Sequence, residues 1–212
     1  MPWFSTRMAL FSATHGAQPR FAVLPEPLSP AQLQAMRSEP QGVFFGLVER
    51  QTQDLGESAA QLLERLREGY RHVPPDTDRK LALRAAVNYA ALSSRVEGAV
   101  ALGALVGDRV HLHGLGRARA FVVDETGHIR ELRLTTPLET AVGVNDAVLV
   151  CSAALSEMID VYDLALALYS HDAGRAGNHL LWLARKRSVE GALIVIKPAH
   201  QRSALRSLLE SR

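Results

Sequence analysis

Residues 99–115, AVALGALVGDRVHLHGL, contain two apolar segments of strand length on either side of Gly107-Asp108. A glycine-containing two-residue turn is typical of the primed turns that join antiparallel strands. The stretch therefore predicts a hairpin of Ala99–Val106 and Arg109–Leu115. Two further strands are predicted directly after it, Arg117–Asp124 and His128–Leu134, with Glu125-Thr126-Gly127 as their turn.

Helical patterns lie on both sides of this meander. Before it, apolar residues at helical spacing predict one helix from Leu55 to Tyr70 and a second from Leu81 to Val96, separated by Pro74-Pro75. A residue among Asp76, Thr77 and Asp78 is expected to cap the second helix. The inward stripe predicted for that helix is Leu81, Ala85, Asn88, Tyr89, Leu92 and Val96. After the meander, two helices are predicted around Val161–Ser170 and near Ala176–Arg187.

Short apolar segments predict the remaining strands. They are Ala9–Thr14, Phe21–Leu24, Gly42–Val48, Ala147–Cys151 and Ala192–Lys197, with a helical turn at Ala31–Met36 inside a Pro-rich connection. Because the helices come in pairs between groups of strands, the order favours mostly antiparallel sheets covered by helical pairs. A chain of 212 residues is long enough for one well-packed domain. We expect that domain to span residues 1–198, with a tail, 199–212, that is compatible with a short surface helix.

Composition narrows the class of protein. Apolar residues make up 47% and charged residues 22% of the chain, which is typical of a globular domain and excludes disorder for most of it. The 24 basic and 22 acidic residues are interspersed, so no basic stripe for nucleic acid is visible. The longest run without charge, Met8–Pro19, is too short to cross about 30 Å of hydrocarbon. A single cysteine and the absence of a secretory pattern in Met1–Arg7 favour the cytoplasm.

The residues alone give little sign of chemistry. His111 and His113 alternate on one predicted strand and so share a face, but no third metal ligand is evident. Cys151 lies in an apolar strand, where a thiol usually behaves as a small hydrophobic group. The run 114–116, Gly-Leu-Gly, enters a strand rather than a helix, which excludes a nucleotide-binding loop.

Four stretches taken together resemble the metal-dependent protein serine/threonine phosphatases (PPM type, protein phosphatase 2C-like). The stretches are FFGLVERQTQDLGESAA (Phe44–Ala60), LGRARAFV (Leu115–Val122), LVCSAALSEMID (Leu149–Asp160) and EGALIVI (Glu190–Ile196). Their order and spacing agree with those of the family, and the resemblance extends from Gly42 to Lys197. It implies an α+β fold, a four-layer α-β-β-α sandwich of two mostly antiparallel sheets flanked by helical pairs.

The resemblance also implies that the family's two-metal site is missing. The match places Val48 at a metal-binding aspartate and Glu49 at the glycine after it, and it places Ala153-Ala154 at an Asp-Gly pair. Glu190 alone keeps a carboxylate at an expected ligand position. The family's Arg-x-x-Asn-Glu-Asp motif is absent, since Arg20 runs directly into a strand, and the segment 135–148 is too short for the family's flap. Because Mg²⁺ and Mn²⁺ need several oxygen ligands, we expect no metal, no cofactor and no catalytic residue.

The function implied is that of a pseudophosphatase, a binding or regulatory module in phospho-signalling. Its expected partner is a protein, such as a Ser/Thr kinase, a phosphoprotein or another subunit, and not nucleic acid or membrane. Arg117 and Arg119 alternate on one strand and are the binding candidates for a phosphate or carboxylate, unless acids such as Asp124 or Glu131 pair with them. Three alternatives stay open: an unrelated α+β domain, an obligate homo-oligomer subunit, and an active phosphatase whose ligands have moved to Glu49, Asp54, Glu57 and Glu190.

Overall fold

The computed structural model describes residues 2–9, 20–24, 42–50, 57–93, 98–170 and 172–198. The strands are β1 (Pro2–Ala9), β2 (Phe21–Leu24), β3 (Val43–Glu49), β4 (Ala99–Val106), β5 (Arg109–Leu115), β6 (Arg119–Val123), β7 (Ile129–Leu132), β8 (Leu138–Ala141), β9 (Ala147–Cys151) and β10 (Gly191–Pro198). The helices are α1 (Ala59–Arg71), α2 (Arg79–Ser93), α3 (Ala153–Met158), α4 (Val161–Ser170) and α5 (Ala173–Lys186). The predicted turn at Ala31–Met36 and the tail 199–212 lie outside the described residues.

The strands of the described ranges form two antiparallel sheets. Sheet I has the order β1-β10-β9-β6-β7, and sheet II has the order β2-β3-β4-β5-β8. Helices α1 and α2 pack on the outer face of sheet II, and α3 to α5 cover the outer face of sheet I. The predicted α+β sandwich of four layers, α-β-β-α, is therefore confirmed. Every helix in the described residues is too short or too polar to span a lipid bilayer.

Alternation along the strands divides the apolar side chains between three layers of core. Phe45 and Leu47 on β3 meet Val150 and Ile194 of sheet I in the core between the sheets. Their neighbours in sequence face the helices on the outside of each sheet. Gly103 is required by this packing, because a Cβ there would overlap the buried ring of Phe45.

The predicted hairpins are present, but they belong to different sheets. Gly107 and Gly127 have φ values of 61° and 81°, the left-handed conformation that favours glycine at these turns. In the second turn, Oδ1 of Asp124 accepts hydrogen bonds from the main-chain N–H groups of Thr126 and His128 at 2.9 and 3.0 Å. After β5 the chain crosses from sheet II to sheet I, so the meander is divided into the hairpins β4–β5 and β6–β7.

Of the predicted inward stripe of the second helix, Val96 lies outside the described residues, and the part that the structure describes is wrong in phase. Asp78 caps α2, as one of the three expected residues, but Leu81 and Tyr89 are 50% and 39% exposed. The buried face instead consists of Ala82, Leu83, Ala86, Val87 and Ala90. The cause lies on α1, where a Cβ at Gly69 would meet Tyr89 Cβ at 3.0 Å and Ala86 Cα at 3.1 Å. The small residues let the two helices approach closely, which moves the larger side chains to the rim.

Three elements differ from the sequence predictions. The first strand is Pro2–Ala9, which pairs with β10 along its whole length, whereas most of the predicted Ala9–Thr14 lies outside the described residues. Strand β8 lies in the segment judged too short for a flap, 135–148, where no strand was predicted before Ala147. Its four residues form a strand through their pairing with β5. Helix α3 has six residues, too few to show a helical period in the sequence.

Candidate functional site at one end of the sandwich

The positions matched to the phosphatase motifs lie at one end of the sandwich. In sheet II, Glu49 ends β3 and pairs with Phe21 and Ala99, which begin the neighbouring strands. In sheet I, Cys151 ends β9 and pairs with Arg119 at the beginning of β6 and with Leu193 of β10. The direct passage from β5 to β6 through residues 116–118 places these two sheet ends on the same side.

The side chain of Val48 does not face the space between the sheets. It is 0% exposed and packs against the layer of α1 and α2. Glu49, the next residue, lies on the same face of β3 as Phe45 and Leu47 and is 6% exposed. The strand-end carboxylate of β3 on the inner face therefore belongs to Glu49, one position later than the aspartate position assigned from the motif match.

The carboxylate of Glu49 is held by Arg20. Its Oε1 lies 3.1 Å from Nη2 of Arg20, while Nε of Arg20 donates to the main-chain oxygen of Arg50 at 2.9 Å. The other carboxylate oxygen, Oε2, is buried and has no hydrogen-bond partner within the described ranges. This ion pair is not among the sequence predictions. The sequence places Arg20 directly before the predicted strand Phe21–Leu24, but its partner follows only from the register of β2 and β3.

At the corresponding end of sheet I, the two positions matched to an Asp-Gly pair carry methyl side chains, those of Ala153 and Ala154. Ala153 begins α3 and is 9% exposed. The buried hydroxyl of Ser152 accepts a hydrogen bond from the N–H of Ala192 at 3.3 Å, and a Cβ at Gly191 would lie 2.7 Å from that hydroxyl oxygen. Glu190, half-buried, precedes β10 and is the carboxylate nearest in sequence to this junction.

The described residues at this end of the sandwich do not by themselves form a two-metal site. Among the described residues, no three side chains of His, Cys, Asp or Glu lie close enough together to hold a metal ion. Of the alternative ligands, Glu49 is bound by Arg20 and Glu57 by Arg65. Asp54 lies outside the described residues. Divalent cations such as Mn²⁺ need several oxygen ligands at once, and the described residues at this end do not provide them.

The structure gives each candidate arginine an acidic neighbour. Arg117 forms an ion pair with Glu157 of α3, and Nη1 of Arg119 lies 3.5 Å from Oε1 of Glu131 on β7. The side chains of Arg117 and Arg119 are 72% and 40% exposed. Arg119 shares the outer face of sheet I with Cys151, toward the helices rather than the space between the sheets.

The remaining titratable candidates, His111, His113 and Cys151, are buried. Burial lowers the pKa of His111 and of His113, which are on the face of β5 toward α2. Nδ1 of His111 lies 3.7 Å from Oε2 of Glu139, and Nδ1 of His113 donates to the main-chain oxygen of Leu134 at 3.2 Å. Burial raises the pKa of Cys151 to about 12, which leaves its thiol protonated and unreactive.

Comparison with known proteins rests on structure alone, because no family model and no curated protein sequence matches the chain. The Mycobacterium tuberculosis serine/threonine phosphatase PstP/Ppp is similar over 94% of this chain and 99% of its own, at 15% identity and a TM-score of 0.63. The same phosphatase is also known in complex with two manganese ions. PppA, a key regulatory component of the T6SS in Pseudomonas aeruginosa, is similar over 93% of this chain and 96% of its own, at 12% identity and a TM-score of 0.65.

A third similar structure is the phosphatase domain, with a fragment of the regulatory domain, of the Bacillus subtilis cell fate determinant SpoIIE. It covers 93% of this chain and 63% of its own length, at 9% identity and a TM-score of 0.62. Identities this low establish the fold and not the activity. The chain has the fold of the protein phosphatase 2C-like (PPM) serine/threonine phosphatases.

Proposed function

We propose that this chain is a phosphatase-like domain that does not hydrolyse phosphoesters and acts as a binding and regulatory module in phospho-signalling. One observation carries the proposal: the inward-facing strand-end carboxylate, that of Glu49, is bound by Arg20, while Val48 and Ala153 have no side-chain oxygen. Metal-dependent hydrolysis requires ions that bind the substrate and activate water. Without ligands for those ions, the fold keeps its shape and loses that chemistry.

The partner we propose is a protein, such as a Ser/Thr kinase or a phosphoprotein, and not nucleic acid or membrane. Similar structures include a regulatory component, PppA, and the cell fate determinant SpoIIE, which supports a place in regulation. Arg117 and Arg119 are the proposed contacts. Their exposed ion pairs contribute about 0–1 kcal/mol each, so a phosphate or carboxylate of a partner can replace Glu157 or Glu131. The buried thiol of Cys151 suits the reducing cytoplasm, where we place the protein.

The proposal is tested with p-nitrophenyl phosphate and added Mn²⁺ or Mg²⁺. We expect no metal-dependent hydrolysis above that of a protein-free reaction, with folding of the sample verified by circular dichroism. Turnover that disappears in Glu49→Ala or Glu190→Ala would contradict the proposal and establish an active phosphatase with relocated ligands. The two variants are informative separately, because Glu49 is bound by Arg20 whereas Glu190 lies at the end of the other sheet.

A further inference from the structure

Two consecutive residues at the end of β3, Glu49 and Arg50, each present an oxygen atom to the same cation. Oε1 of Glu49 and the main-chain oxygen of Arg50 both accept hydrogen bonds from Arg20, at 3.1 and 2.9 Å. One guanidinium therefore joins a carboxylate oxygen and a carbonyl oxygen of consecutive residues. Carboxylate and carbonyl oxygens are also the ligands that hard divalent cations take in proteins.

We infer that Arg20 is the resident cation of this end of the sandwich, and that its guanidinium fills the place of a bound metal ion toward Glu49. A carboxylate as deeply buried as that of Glu49 is strongly destabilising unless a positive charge lies beside it. Arginine suits this role because it is always charged and presents several N–H donors in a fixed plane. The link from this ion pair to lost hydrolysis rests on the proposed function, whereas the ion pair itself does not.

The main chain holds Arg20 in this position. Phe21 pairs with Glu49 in the antiparallel register of β2 and β3, and the N–H of Arg50 donates to the main-chain oxygen of Arg20 at 2.9 Å. The guanidinium carbon also lies 5.6 Å from the centre of the Phe21 ring, within the range of a cation–π contact. The ion pair is therefore a consequence of strand register, which fixes both partners.

The carboxylate depends on this arginine. Oε2 of Glu49 is buried without a hydrogen-bond partner, so Arg20 is the one side chain in the described structure that donates to this carboxylate. Removal of Arg20 would leave a buried and unpaired negative charge. Conversion of Glu49 to glutamine would remove that charge while keeping the size and shape of the side chain. The two substitutions are therefore expected to be strongly coupled.

A double-mutant cycle of Arg20→Met and Glu49→Gln, followed by urea unfolding without metal, tests the inference. Arg50→Met is the matched control, because the adjacent Arg50 forms its hydrogen bonds here through its main chain. We expect Arg20→Met to lower the equilibrium constant for folding about tenfold or more. Adding Glu49→Gln to that variant should recover most of the loss. If Arg20→Met does not fold, Arg20→Lys replaces it in the cycle. Lysine keeps the positive charge but cannot make both hydrogen bonds of the guanidinium, so we expect this variant to fold and to be less stable than the wild type.

The cycle separates this inference from the proposed function because it contains no phosphoester. We also expect the melting temperature of the wild-type protein to be the same in EDTA and in Mn²⁺. Additive effects of the two substitutions on stability would overturn the inference that Arg20 is the resident cation. So would a loss of stability in Arg20→Met that is no larger than in Arg50→Met. Either result would leave the proposed function standing. A wild-type protein that EDTA destabilises would overturn the inference as well. Metal-dependent hydrolysis together with intact coupling would instead remove the proposed function.

Discussion

The middle of β3 and its last residue lie on one face of one strand, but the middle is buried by apolar packing and the last residue by an ion pair. Phe45 and Leu47 are fully buried among apolar side chains of both sheets. Two residues further, Glu49 is almost as deeply buried but carries a charge that, among the described residues, Arg20 alone balances. Apolar packing forms the sandwich and tolerates many sequences. The ion pair at the strand end depends on two particular residues, so the chemistry of this end can change while the fold persists.

The largest expected effect concerns the outer face of β3 at the same end. Val48→Asp would place a charge against α1 and α2, where the side chain is fully buried, and we expect a loss of at least about 4 kcal/mol in the free energy of unfolding. Val48→Ala, which removes volume without adding charge, is the control, with an expected loss of about 2 kcal/mol. Urea unfolding measures both. A folded Val48→Asp protein that Mn²⁺ stabilises would show that position 48 reaches the space between the sheets after all.

The next prediction concerns two buried histidines of the interior. Burial lowers the pKa of His111 and His113 below the value of about 6.5 in the unfolded chain. As the pH falls below about 6.5, the unfolded state takes up protons before the folded state does, so the free energy of unfolding decreases. Above that pH the histidines are neutral in both states and cause no such loss. The charged groups that act on these rings are Glu139, Asp78, Arg79, Lys80 and Arg84.

Unfolding in urea at about pH 5 and pH 7.5 checks this sign, since those values bracket the pKa of a histidine in the unfolded chain. We expect the wild-type protein to be less stable at the lower pH, and the difference to shrink in His111→Gln/His113→Gln. The exposed His128, changed to glutamine, is the control, because its side chain is 75% exposed and separate from this core. An equal pH dependence in the double variant and the wild type would assign the effect to other groups.

The sequence predicted the sandwich well where local pattern decides the structure. The turns at Gly107 and Gly127, the boundaries of β9 and the pairing of helices all follow from turn residues and apolar runs. The phase of α2 did not, because it depends on Gly69 of another helix, and the four-residue β8 depends on its pairing with β5. The strand-end site shows the same limit. The motif match points to the end of β3, but only the register of β2 and β3 reveals that Arg20 meets Glu49.

A smaller effect is expected at the exposed arginines of the same end. Arg117→Ala/Arg119→Ala breaks two surface ion pairs, so the free energy of unfolding should change by less than about 1 kcal/mol per pair. Binding of an acidic phosphoserine peptide, measured by fluorescence anisotropy, should weaken about tenfold, or ~1.4 kcal/mol. Arg130→Ala on the neighbouring strand β7 is the control. Equal affinity of the double variant and the wild type, with folding intact, would exclude Arg117 and Arg119 as the contact.

The smallest expected effect concerns Cys151. Its thiol is fully buried with a pKa raised to about 12, so iodoacetamide should not modify the native protein. In urea the same thiol should react, which intact-mass spectrometry shows as a single added group. Rapid modification of the native chain would mean that the junction of β9 and α3 opens often enough to expose the thiol of Cys151 to solvent.

The most direct test of the central claim, that this end of the sandwich needs and binds no metal ion, is a calorimetric titration of the wild-type protein with Mn²⁺. We expect no saturable binding, because Val48 and Ala153 offer no side-chain oxygen and Arg20 occupies the carboxylate of Glu49. Saturable binding of two ions per chain, abolished by Glu49→Ala and by Glu190→Ala, would contradict it.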